Sequence, residues 1–240
     1  MSIASNNAGS NGCNIQQLLY TDNTNYRDEW IIDPFTVTMC AIYNYGHNHA
    51  APYANINNSL KNINLNNNNL ISGVVLPSDC LIYLDDANIF ISRSHGQFVN
   101  AFGTDTIVST GIILDDCSPF EYALYSHAWS GMGSYCDYIH GVNLSNLTVA
   151  LFIACSTGCG GSAANNLPAK AVEAGAKCAI GFESEILCQD ANEWACYFFE
   201  YLASGHTIGQ AANYAKLQFP IDSGLRKVVI FGDSTQFLVP

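Results

Sequence analysis

Two short segments carry the residues best suited to bond-breaking chemistry. Phe90-Ile91-Ser92-Arg93-Ser94-His95-Gly96 runs from apolar residues into an imidazole and a glycine. Leu151-Phe152-Ile153-Ala154-Cys155-Ser156-Thr157-Gly158 runs from apolar residues into a thiol set among small residues. Both apolar runs have the length and content of buried strands. In open parallel sheets, sites form beyond the carboxyl ends of the strands. If the two strands are neighbours, His95 and Cys155 share one edge of the sheet. A thiolate that attacks a carbonyl, with an imidazole handling the proton, is the minimum for covalent acyl transfer. Gly96 lets backbone approach a substrate closely, and the N–H groups of Gly96 and Cys155 would supply an oxyanion hole.

Each of these residues also has a plainer reading. A cysteine at a strand end is by default a small core hydrophobe. What lifts Cys155 above that default is His95-Gly96 together with the pattern downstream. His127, in Tyr125-Ser126-His127-Ala128-Trp129, reads as a loop or surface histidine and is the weaker candidate base. Ser94 reads as shaping the turn before His95. His47 and His49 have no carboxylate or cysteine at a ligand-like spacing, and Cys155 with Cys159 and a distant histidine is an equally poor set, so no metal is expected. No cofactor is expected either. Asp85-Asp86 and Asp115-Asp116 read as loop acids, with a place in a cleft or on a cation left open.

The elements that must position these residues follow from periodicity. Phe35 to Tyr45 is β-rich and predicts a first strand. Six of the ten residues 61–70 are Asn, and residues 54–69 read as a surface loop. Ala87 to Ser92 predicts a strand, Thr106 to Leu114 a hairpin or short strands, and Leu147 to Ala154 a central parallel strand. Pro168 suits the first turn of a helix that closes before Gly175, and Ala176 to Phe182 is the next strand. Ala191, Trp194, Ala195, Phe198, Phe199 and Leu202 fall on one helical face. Thr207 is placed to cap a further helix with Ile208, Ala211, Ala212 and Ala215 inward. Lys227 to Phe231 is the last strand. Strands alternating with helices predict an α/β fold with a mostly parallel central sheet flanked by helices.

Composition narrows the classes. The chain has 240 residues, of which 49% are hydrophobic, which excludes global disorder. Residues 1–34 are polar and Asn-rich and read as a leader or edge segment, with one domain over 35–240. The longest apolar run, Leu147 to Cys155, is far short of the ~20 residues a membrane span needs. No basic, then apolar, N-terminal pattern is present, so no secretory signal is read and a cytoplasmic location is expected. The net charge of −12 repels phosphate backbones, and direct nucleic-acid binding is not expected. Ten cysteines without a C-x-x-C pair suit a reducing compartment. No G-x-S-x-G elbow occurs, which ranks an unrelated α/β hydrolase last.

The order of these motifs resembles the caspase-like (clan CD) cysteine peptidases, nearest to the CHAT, clostripain and gingipain-type domains. FISRSHG is similar to that clan's strand followed by His-Gly, and LFIACSTG to its strand followed by Ala-Cys. A helix ending in Glu173-Ala174-Gly175-Ala176, then AIGF, an aromatic helix, an Ala-rich helix and Phe231-Gly232-Asp233 continue the likeness over residues 87–240. The helix usual between the clan's first strands is not recovered from this sequence.

The resemblance implies a caspase-like three-layer sandwich and cysteine endopeptidase activity through a Cys-His dyad. In it Cys155 is the nucleophile, His95 the general acid/base, and a thioacyl intermediate forms. Glu183 and Glu185 occupy the region where clostripain-like relatives hold an acid that selects a basic P1 side chain, so Arg or Lys at P1 is favoured, through Glu183. The expected partners are a protein or peptide substrate and an activating protein that orders the cleft. The alternative is a non-catalytic caspase-like module that binds a protein.

Overall fold

The computed structural model describes residues 37–43, 65–72, 75–115, 122–160 and 165–238. Among these residues the main sheet has six strands. β1 is Val37–Tyr43, β2 Leu65–Ser72, β3 Ile89–Arg93, β8 Val149–Ile153, β9 Cys178–Phe182 and β10 Val228–Gly232. Their spatial order is β10-β9-β8-β3-β1-β2, with every neighbouring pair parallel except β10 on β9. Among the described residues the α-helices are α1 (Pro77–Asp86), α2 (Leu167–Glu173), α3 (Cys188–Ala203) and α4 (Ile208–Leu217). The predicted α/β architecture is therefore the observed one.

The three layers follow from strand alternation. β3, β8 and β9 are buried at every position, as strands covered on both faces must be. Ile89, Ile91, Val149, Leu151, Ile153, Ile180 and Phe182 point to one face, where Trp194, Phe198 and Leu202 of α3 and Ile208 and Ala212 of α4 meet them. Phe90, Ala150, Phe152 and Ala179 point to the other, onto Leu81 and Leu84 of α1 and Leu167 and Ala171 of α2. Successive residues reach opposite cores because the side-chain period of a strand is two.

The helices begin where the sequence provides for it. Thr207 accepts from the Gln210 N–H at 3.2 Å while the Gln210 side chain accepts the Thr207 N–H at 3.0 Å, a reciprocal cap on α4. Pro168 stands in the first turn of α2 and Pro77 in that of α1. The stripe predicted along α3, from Ala191 to Leu202, is buried throughout.

Several expectations are corrected. A helix the sequence reading did not place, α1, precedes β3, with Cys80, Leu81 and Leu84 inward, and residues 44–64 after β1 lie outside the described residues. Residues 65–69, read as loop, belong to β2, the outermost strand, paired in parallel with β1 over Val37–Tyr43. Backbone pairing along β1 overrides the low strand propensity of Asn, and an edge position tolerates such residues. Thr106 to Leu114 is neither a hairpin nor short strands but one strand, β5 (Ile107–Asp115). It is the second member of a four-stranded sheet, β4-β5-β6-β7, with β4 Gly96–Asn100, β6 Tyr122–Tyr125 and β7 Cys136–Tyr138. Ile112, Leu114 and Leu124 of this sheet join the α1–α2 core. The expected segment 1–34 and the pair His47 and His49 lie outside the described residues.

The α3 face is the densest aromatic packing in the described core. Phe198 stacks on Trp194 with centroids 5.3 Å apart and meets Phe199 edge-on at 4.9 Å. Phe198→Ala is expected to lower unfolding stability by about 3–5 kcal/mol. The measurement is a urea titration, with the midpoint falling and the slope unchanged.

Candidate active site

β3 and β8 are hydrogen-bonded neighbours, with Arg93 opposite Ile153. Continuing that register by two residues sets His95 beside Cys155. The Ser94 N–H donates to the Ile153 carbonyl at 3.4 Å, so the pairing does extend past the strand ends. The next contact is closer. A Cβ built on Gly96 would stand 1.8 Å from the Cys155 carbonyl oxygen and 2.8 Å from the Cys155 nitrogen. Only a residue without a side chain fits there, which gives Gly96 a physical requirement and brings the His95-Gly96 backbone onto that of Cys155. His95 is exposed and Cys155 half-buried.

β4 begins at Gly96, so His95 is the hinge between the two sheets. The Ile113 N–H donates to the His95 carbonyl at 2.8 Å, and Gly96 pairs with Ile112. That bond makes Gly96–Ile112 a non-hydrogen-bonded pair of the antiparallel ladder, so the Gly96 N–H points away from β5.

A buried polar network fixes the turn after Cys155. Thr157, fully buried, has its hydroxyl 3.2 and 3.1 Å from the Phe152 and Ala154 carbonyls and accepts the Phe182 N–H at 3.3 Å. The Thr110 hydroxyl donates to the Thr157 carbonyl at 2.8 Å and accepts the Leu167 N–H at 2.9 Å. Asn166, also fully buried, donates to the Gly158 carbonyl at 2.5 Å and the Cys159 carbonyl at 3.2 Å, and accepts the Ala169 N–H at 3.1 Å as the N-cap of α2. The turn is also joined to the end of β9, with Ser156 N–H to the Ser184 carbonyl at 3.1 Å and Gly158 N–H to the Phe182 carbonyl at 2.9 Å. Within it Ser156 takes φ +56°, the left-handed region, a conformation held by bonds on both sides.

The segment after β9 reaches the thiols. The Cys155 Sγ accepts the Ile186 N–H at 3.3 Å and donates to the Ile186 carbonyl at 3.7 Å. The Cys159 Sγ donates to the Glu183 carbonyl at 3.2 Å. Glu183 and Glu185 are both exposed beside this segment. The Glu183 N–H donates to the Lys227 carbonyl at 3.0 Å, extending the β9–β10 ladder and setting Lys227 across from Glu183.

The other candidates fall elsewhere. The His127 main chain is held by the Ser109 hydroxyl at 3.0 Å, and Ser109 pairs with Val99, three residues along β4 from Gly96. Ser94 shares its hydroxyl with Ser92 at 3.5 Å, a turn role as expected. Asp85 accepts the Asn143 N–H at 3.2 Å, while burial, and then Asp85, raise the Asp86 carboxyl above the usual range. Asp116 lies outside the described residues. Among the described residues no group of three or more His, Cys, Asp or Glu is placed to hold a metal ion, and no helix is long and apolar enough to cross a membrane. Sequence reasoning missed Thr110, Thr157, Asn166 and Ile186. Asn166 ahead of Pro168 was the one signal available, since an Asn before a first-turn Pro reads as a cap.

No family model matches the sequence, and no curated protein matches it. Among solved structures the chain is similar to the complex of the RgpB pro- and mature domains from Porphyromonas gingivalis. The TM-score is 0.54 at 14% identity, over 85% of this chain and 48% of that one. The chain thus spans about half the length of that neighbour. At this identity the likeness establishes the fold, a caspase-like α/β sandwich of the kind gingipains share.

Thiol environments differ enough to be read out chemically. Burial, and then Asp233, push the Cys178 thiol up to about 12. Burial raises the Cys159 thiol above its ordinary value, with Glu183 adding to the effect and Ser156 and Lys227 opposing it. Iodoacetamide at pH 8 is therefore expected to leave Cys178 unmodified in the folded protein and to modify it after denaturation, read by peptide mapping. Asn166→Ala removes the partner of the Gly158 and Cys159 carbonyls and of the Ala169 N–H in α2, and should cost about 1–3 kcal/mol of stability in a urea titration.

Proposed function

We propose that this protein is a cysteine endopeptidase that hydrolyses peptide bonds through Cys155 and His95. The observation that carries the reading is the close approach of Gly96 to the Cys155 backbone at the carboxyl ends of two adjacent parallel strands. The fold shared with a gingipain supports the same class. His95 takes the Cys155 Sγ proton, and the thiolate attacks the scissile carbonyl. The N–H groups of Gly96 and Cys155 receive the developing oxyanion. His95, now imidazolium, returns its proton to the leaving amine, and a water molecule then hydrolyses the thioester with His95 as base.

The substrate is a protein or peptide, and acids at the mouth favour Arg or Lys at P1. Between the two, the structure supports Glu185 over Glu183. Lys227 stands across the ladder from Glu183 and competes with a basic side chain, whereas Glu185 adjoins Ile186, which touches the Cys155 Sγ. A carboxylate there would hold an arginine by charge-assisted hydrogen bonds. The chemistry of the dyad needs no metal or cofactor. One observation favours the alternative of a non-catalytic protein-binding module: the Cys155 thiol is already engaged by the Ile186 backbone.

The deciding experiment uses acyloxymethyl-ketone probes with Arg, Lys, Leu or Asp at P1, followed by peptide mapping. Labelling of Cys155 is expected, lost in His95→Ala, with the Arg or Lys probe fastest. Glu185→Gln should slow the Arg probe at least about tenfold while leaving the Leu probe unchanged. Absence of any label on Cys155, with partner binding unaffected by Cys155→Ala, would establish the binding module instead.

A further inference from the structure

We propose that the segment 184–187 is an autoinhibitory latch on the Cys155 thiol, held shut by Gly224; this rests on Cys155 being the nucleophile. A thiol carries one proton and one principal direction in which to donate it. Here both roles of the sulfur are taken by a single residue, with the Ile186 N–H donating to Sγ and the Ile186 carbonyl receiving the S–H. A proton committed to the Ile186 carbonyl is not available to His95.

Further contacts hold the segment in that place. Ser184 accepts the Ser156 N–H through its carbonyl, and the Glu183 carbonyl receives the Cys159 thiol. Leu187 opens α3 and accepts the Ala191 N–H at 2.9 Å. Between these anchors the Glu185 carbonyl presses on Gly224, where a Cβ would stand 1.8 Å from that oxygen and 3.4 Å from the Ile186 Cγ2. Gly224 lies in the short 3-10 turn Gly224–Arg226, capped by the Ser223 hydroxyl on the Leu225 N–H at 3.3 Å. The turn is therefore a fixed wall, and its missing side chain is what lets the segment sit against it.

Opening is a displacement of Glu185 and Ile186. When it occurs, the hydrogen bond from Sγ–H to the Ile186 carbonyl breaks, the proton passes to the His95 imidazole, and thiolate and imidazolium form together with no change in total charge. A peptide entering beyond the carboxyl end of β9, or a partner bearing on this segment, would supply the displacement.

The test uses Gly224→Ala as an internal wedge. Its methyl group must push the Glu185 carbonyl away, so iodoacetamide should modify Cys155 roughly three- to tenfold faster than in the wild type, the factor an ordinary hydrogen bond contributes. An unchanged or slower rate in a variant with the wild-type melting temperature overturns the latch. A second measurement does not depend on that variant folding. Amide hydrogen exchange at Ile186 should accelerate roughly three- to tenfold in Cys155→Ala, which removes the sulfur acceptor. Equal exchange rates in the two proteins overturn the latch as well. The two readings fail separately. A faster-alkylating Gly224→Ala that no P1 probe labels shows that the segment covers the thiol and refutes the peptidase, and with it the autoinhibitory role. Probe labelling of Cys155 with unchanged alkylation and exchange keeps the peptidase and refutes the latch.

Discussion

The Cys155 carbonyl occupies the space where any side chain at position 96 would have to stand. Two chain segments meet there, one ending β3 and the other ending β8, and their backbones touch without an intervening side chain. The contact depends on the parallel register that pairs Arg93 with Ile153, and that register in turn depends on both strands burying all five of their residues. A slip by one residue would send Ile89 and Ile91 to the face that Phe90 now fills. It would also carry His95 away from Cys155. Core packing and the geometry of the site are thus two consequences of one alignment.

From that contact outward, the turn after Cys155 is held from three directions. Thr157 binds it back to Phe152 of β8, Gly158 binds it across to Phe182 of β9 and Ser156 to Ser184 just beyond, and Asn166 binds it to the start of α2. Asn166 and Thr157 are fully buried, so each unmade bond would leave a polar group without water. The left-handed Ser156 sits inside this clamp. These bonds fix the Cys155 sulfur and backbone relative to β8, β9 and α2. The segment 184–187 is different in kind. It touches the thiols through main-chain atoms and lies against a glycine, Gly224.

The parts that escaped the sequence did so for identifiable reasons. The Asn-rich β2 carries the wrong residues for a strand, and only pairing with β1 makes it one. α1 is short, and its inward Cys80, Leu81 and Leu84 give too brief a pattern to stand out. β5 looked like short strands because Ser109, Thr110 and Gly111 interrupt its apolar run, yet Ser109 and Thr110 are buried and bonded to Ser126 and Thr157. Polar residues serving a network look, in one dimension, like residues of a loop.

What the sequence determined by itself was everything local or periodic. The buried strands that end just before His95 and Cys155, the α3 stripe from Ala191 to Leu202, the Thr207 cap and the alternation of strands with helices are all consequences of short-range chemistry, and each stands as read. Tertiary structure alone decided which strands are neighbours, that Gly96 lies on Cys155, that Asn166 reaches two carbonyls of the turn, and that Ile186 rests on the thiol. The physical reason is separation along the chain. Gly96 and Cys155 lie far apart in the chain and meet only when β3 and β8 have paired, and a main-chain group such as the Ile186 N–H or the Gly158 carbonyl has no identity in a sequence until the fold says what it faces.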